Sequence, residues 1–117
     1  MIYTSYFANW RKFPATYKVV CIARYAPRGA GGRGSLMPVA LELAPSEDLL
    51  FRYKNDKIGS VQYTLEFNEQ LAVLNPSEIG SRYDNYILLC YEKAIDFCHR
   101  HLVRQWLMDH QIACQEL

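Results

Sequence analysis

The stretch LLCYEKAIDFCHRH, Leu88 to His101, places two cysteines, two histidines, a glutamate and an arginine within fourteen residues. Each of these side chains can do chemistry. Glu92 can move a proton, and Arg100 can hold a negative charge. Cys98 becomes a nucleophile when a helix N-terminus or a neighbouring base lowers its pKa, and His99 or Arg100 can help it do so. The same crowding also arises where a buried strand meets an amphipathic helix. There a thiol is a small hydrophobe and a histidine a satisfied core residue.

Spacing separates the candidate chemistries. Cys98 to Arg104 satisfies a bare C-x5-R count. A loop that wraps an oxyanion in backbone N–H groups needs small residues directly after a strand, and HRHLV contains no glycine. Arg104 also points away from Cys98 on a helix, so a phosphatase-like loop is not expected. A structural zinc site draws four ligands, commonly from two close pairs. Cys98 and His101 make one pair, diverging by about 60° on a helix, and Cys90 lies deeper, so no metal centre is expected. The group that remains is Glu92, Cys98, His99 and Arg100.

These residues need elements to hold them. Ile2–Tyr6 is β-branched and aromatic and predicts a first strand. YKVVCIARY (17–25) and YILLCYE (86–92) are continuous apolar runs, the pattern of strands covered on both faces. IACQEL predicts a last strand. Ser46 is an N-cap before Glu47 and Asp48, and opens a helix carrying Leu49, Leu50 and Tyr53 on one face. Phe67, Leu71 and Leu74 keep helical spacing and predict a second helix over about Thr64 to Leu74. PSEIGSRYDN reads as a short helical turn and loop, and DFCHRHLVRQWLMDH as a long final helix capped by Asp96. Buried strands alternating with helices predict a single three-layer α/β domain over residues 1–117. Its central sheet is mainly parallel, of about four strands flanked by helices, with Val19–Ala23 and Tyr86–Cys90 adjacent or nearly so.

At 100° per residue with Cys98 at zero, Leu102, Trp106, Val103 and Leu107 fall at about 40°, 80°, 140° and 180°. That face points Cys98 and His99 toward the sheet, leaves Arg100 at its border, and turns His101 and Arg104 to solvent. Glu92 ends its strand at the carboxyl end, where open α/β sheets bind ligands. Thr4, Ser5 and Tyr6 should share that edge, and so should Arg24, which makes all four candidate ligand-binding residues.

A loop with four glycines and two arginines, Ala26–Ser35, follows the second strand. Its G-x-G-x-x-G match is out of context for dinucleotide binding, because Pro38 stands where a helix should begin. A mobile lid, or a cationic loop in which Arg28 and Arg33 meet phosphate or simply water, is the better expectation. Charge is split along the chain, +5 over residues 1–60 (nine basic, four acidic) and −4 over 61–117 (four basic, eight acidic). An anionic ligand near the first half fits that split, and nucleic acid is not excluded. No apolar run approaches the ~18 residues of a membrane span, and no signal peptide is read. Cys21, Cys90, Cys98 and Cys114 are expected as reduced thiols without a disulfide, in a cytoplasmic protein.

IYTSYFANWRKFP, FNEQLAVLNP and LLCYEKAIDFCHRHLVRQWL together resemble the short members of the family called domain of unknown function 488. The most specific element is Cys90-Tyr91-Glu92 followed by Cys98-His99-Arg100. The resemblance covers most of the chain and implies an α/β fold with a site at Glu92, Cys98, His99 and Arg100. It implies no activity. Two functions of different class are consistent with the residues. One is a small enzyme or ligand-binding protein for an anionic or nucleotide-like compound. The other is a non-catalytic binding module for nucleic acid or a protein partner.

Overall fold

The computed structural model describes residues 1–25, 37–92 and 97–117, apart from the side chains of residues 10 and 11. The glycine loop with Arg28 and Arg33, and the proposed cap Asp96, lie outside the described residues.

Four strands form one sheet: β1 (Ile2–Tyr6), β2 (Lys18–Cys21), β3 (Tyr86–Cys90) and β4 (Cys114–Glu116). Their order is β2-β3-β1-β4 and every pair is parallel. The α/β class and the adjacency of Val19–Ala23 with Tyr86–Cys90 are therefore as read from the apolar runs. β2 ends the sheet, yet its outer edge is occupied. Cys21 N donates to Pro38 O and Cys21 O accepts from Ala40 N, both at 2.8 Å, in a parallel bridge to Val39. This covers an apolar edge that would otherwise offer unpaired N–H and C=O groups to another chain.

The helices are α1 (Glu47–Lys54), α2 (Ser60–Ala72), α3 (Pro76–Arg82) and α4 (His99–Asp109). Ser46 caps α1 through a bond from Leu49 N at 3.1 Å. α2 begins four residues before the expected Thr64. Tyr63, Phe67 and Leu71 form its buried stripe at i, i+4 spacing, while Val61 and Leu65 are exposed. The helical repeat thus starts one turn earlier than Phe67, at Tyr63. α4 begins later than expected, with Cys98 as its N-cap in extended backbone (φ −152°, ψ 141°). Cys98 is therefore not in the first turn.

One sheet face packs Ile2, Val20, Leu88 and Cys90 with Leu49, Tyr63, Phe67, Leu71, Val103 and Leu107 of the helices. The other face has Ile87 and Leu89 beneath Tyr3, Phe7, Phe13, Tyr17, Val19 and Met37. Among the described residues this second cover is a 3-10 helix (Phe7–Lys12) and aromatic side chains, not an α-helix. No helix among the described residues is long and apolar enough to cross a membrane.

The topology makes a crevice. β1 and β3 are neighbours, with Tyr6 paired to Cys90 at their carboxyl ends. The chain leaving β1 crosses the second face, whereas α4, which follows β3, lies on the first. Connections that part to opposite faces open a gap above the strand ends.

Candidate active site at the sheet's carboxyl edge

Three buried groups converge there. Cys90 comes from the last position of β3, Cys98 from the cap of α4 and His99 from its first helical residue. One ligating atom from each lies within 4.8 Å of the others. Cys90 Sγ is 3.6 Å from His99 Nδ1 and 3.6 Å from Glu92 Oε2. His99 Nε2 is 2.6 Å from the carbonyl of Ile22. A carbonyl only accepts, so Nε2 carries a proton, and Nδ1 faces the thiols. The Phe67 ring stands edge-on to the imidazole at 5.4 Å and fixes its plane.

The cluster polarises its members. Cys98 is held well below the ordinary thiol range by a hydrogen bond from the Cys90 thiol, with His99 and the Arg100 backbone N–H adding to it against the cost of burial. Cys90 is pushed the other way by its bond to Cys98 and by burial. Glu92, half-buried, is raised first by desolvation and then by Cys98. Cys90, expected to lie deeper than the site, joins Cys98 and His99 in it.

Arg100 is inside the protein, not at a rim. It is fully buried. Its Nε and NH2 groups donate to the Glu116 carboxylate at 3.0–3.3 Å, and its NH1 group donates to the Glu92 carbonyl at 2.5 Å. The guanidinium also lies over the Tyr6 ring, 5.7 Å from its centroid. Its donors hold the backbone of the site together.

The other expected residues divide. Thr4 and Ser5 are fully buried, and their hydroxyls are spent within the fold, on Glu116 Oε1 at 2.5 Å and Leu117 O at 3.3 Å. Tyr6 is half-buried beside Arg100. Arg24 turns to Glu47 at the start of α1, at 3.3 Å. His101 and Arg104 are half-buried, not solvated. Arg104 Nε reaches Cys114 O at 3.1 Å, and His101 Nε2 is buried with no partner among the described residues.

Sequence reasoning missed Cys90 as a member of the cluster and Glu116 as the partner of Arg100. The signal for Cys90 was its two-residue spacing from Glu92, which keeps both on one side of an extended segment. The signal for Glu116 was the last strand itself, since a parallel β4 beside β1 sets Glu116 against Thr4 at the same edge.

No curated protein and no solved structure matches this chain. A family model matches residues 11–111, described as the active DUF488-N3 subclade, and the chain belongs to that family, DUF488-N3a.

Proposed function

We propose that the carboxyl-edge crevice is the working site of a small cytoplasmic enzyme that acts on an anionic, nucleotide-like compound. Glu92 transfers the proton, and the Cys98–His99 pair shapes and activates the site. The observation that carries this reading is the convergence of Glu92, Cys90, Cys98 and His99 at the gap between β1 and β3. In a fold of this kind that gap is where ligands bind. A core junction has no need of four polar groups, and burying them costs stability unless they are used. The word "active" in the description of the subclade supports an enzyme over a passive module. Arg100 enters as a positioning residue, since its donors are taken by Glu116 and the Glu92 carbonyl. Among the described residues an anion would meet Tyr6 at this edge instead. Arg24, Arg52, Arg82 and Arg100 are all paired with carboxylates, which lends no support to a phosphate-backbone interface among the described residues.

The test is a panel of nucleotides, sugar phosphates and small carboxylates, followed by mass spectrometry for turnover and by thermal shift. Wild-type protein should convert at least one of them. Glu92→Gln should cut that rate by about 10²-fold or more while leaving the melting temperature of the free protein near wild type. Unchanged turnover in Glu92→Gln, or no conversion and no stabilisation across the panel, would remove this reading.

A further inference from the structure

We propose that Cys90, Cys98 and His99 are the protein ligands of a zinc-class divalent cation, with Glu92 bordering the fourth position. The inference names a cofactor for the crevice and rests on reading that crevice as the site, but it is tested on metal binding alone.

Geometry is the first support. Tetrahedral zinc with Zn–S of about 2.3 Å and Zn–N of about 2.05 Å sets a sulfur–nitrogen edge of about 3.6 Å and a sulfur–sulfur edge of about 3.8 Å. Cys90 Sγ and His99 Nδ1 are 3.6 Å apart, and all three ligand atoms fit within 4.8 Å. Small side-chain rotations close the remainder.

The second support is what stands behind the ligands. A histidine that binds metal through one nitrogen donates from the other to a carbonyl or carboxylate, which fixes its tautomer. His99 does this, with Nε2 on Ile22 O at 2.6 Å and Nδ1 aimed at the sulfurs. Cys90 lies at a central strand's end and Cys98 and His99 at a helix start, so the set is held by rigid elements. All three are buried, at 2%, 3% and 7% exposure, while Glu92 is half-exposed. The site is thus closed on the protein side and open toward the crevice, the arrangement of a zinc centre that keeps one position for a water or substrate oxygen. Two thiolates and an imidazole select zinc, cobalt or iron over magnesium and calcium.

The expectation of no metal centre rests on Cys98 with His101 as the pair, with Cys90 set aside as lying deeper. The gathered set is a different one, completed by the strand cysteine.

The experiment uses the full chain, reduced and freed of metal with a chelator, then titrated with Co²⁺ and afterwards Zn²⁺. The expected result is a near-ultraviolet thiolate-to-cobalt charge-transfer band that saturates at one cobalt per chain and is abolished by zinc. Zinc should also raise the melting temperature. Cys98→Ser and His99→Gln should each weaken cobalt binding by at least about tenfold. Cys114→Ser, in β4, should leave the stoichiometry unchanged. The wild-type titration stands even where a variant folds poorly. Absence of the band at saturating cobalt, or a band of full intensity in Cys98→Ser, would overturn the proposal. Glu92→Gln turnover decides the catalytic reading separately, so the two can fail independently.

Discussion

Arg100 and Glu116 form an ion pair across the carboxyl edge of the sheet, with the guanidinium fully buried and the carboxylate about one-fifth exposed. The pair joins the first turn of α4 to the last residue of β4. Glu116 also accepts from Thr4 in β1, and Arg100 also donates to the carbonyl of Glu92 after β3. One buried charge thus fastens the ends of three strands around the site. Removing one partner strands the other in a medium that cannot solvate it. Glu116→Gln or Arg100→Met alone should cost roughly 3–5 kcal/mol, measured by urea denaturation, whereas the double replacement by apolar residues should recover much of that loss. Additive single losses would show that the two charges do not depend on each other.

That pair also marks where sequence reading stopped. The strands were legible because Val19–Ala23 and Ile87–Cys90 are unbroken apolar runs, and the Ser46 cap because its oxygen and spacing are local features. α4 was rotated by about 60° in the helical arithmetic. Counting only apolar residues centred its buried face near Leu102 and Trp106, while the residues actually enclosed are His99, Arg100, Val103 and Leu107. An arginine counts as polar until its counterion is known, and Glu116 lies sixteen residues away in another strand. The cysteine cluster was half legible for a similar reason. The motif listed Cys90, Glu92, Cys98 and His99, but only the N-cap turn at Cys98 decides that the two sulfurs meet.

Phe67 supports the site from behind. It is fully buried in α2 and meets the His99 ring edge-on. Phe67→Ala should destabilise the fold by about 3–5 kcal/mol, from lost burial and the cavity left behind. Calorimetry checks the magnitude. A loss under about 1 kcal/mol would mean that the helix layer collapses into the space and that Phe67 does not fix the imidazole.

Acid sensitivity should appear away from the site. Arg52 bonds both Asp48 and Glu66, and the Arg52 hydrogen bonds, with a smaller part from Gln62, hold Glu66 down at about 2. A carboxyl whose folded pKa is depressed stabilises the fold fully above its ordinary value of about 4.5, and that contribution fades as pH falls toward 2. The melting-temperature difference between wild type and Glu66→Gln should therefore be greatest near neutrality and close progressively below about pH 4.5. The pair is partly exposed, so the difference should also shrink in high salt. A gap that widens on acidification would reverse the assignment.

Cys98 should be the most acidic of the four thiols. The Cys90 thiol, His99 and the Arg100 backbone N–H each favour its charged form and together outweigh its burial. Cys90 is shifted upward because a charge on it would face both the Cys98 sulfur and the Glu92 carboxylate in a buried place. Within the pair the negative charge belongs on Cys98, and the proton on Cys90. In reduced, chelator-treated protein, the pH profile of iodoacetamide labelling should have its midpoint for Cys98 below the ~8.5 of a free thiol. Peptide mass spectrometry assigns the label to its cysteine. Burial slows the absolute rate at every pH, so the midpoint is the informative quantity. His99→Gln removes one of the groups that favour the thiolate and should move the midpoint upward. A wild-type midpoint at or above that of a free thiol would make Cys98 a packing residue. Proton transfer would then rest on Glu92, held at the strand end by the Arg100–carbonyl bond, and not on Cys98.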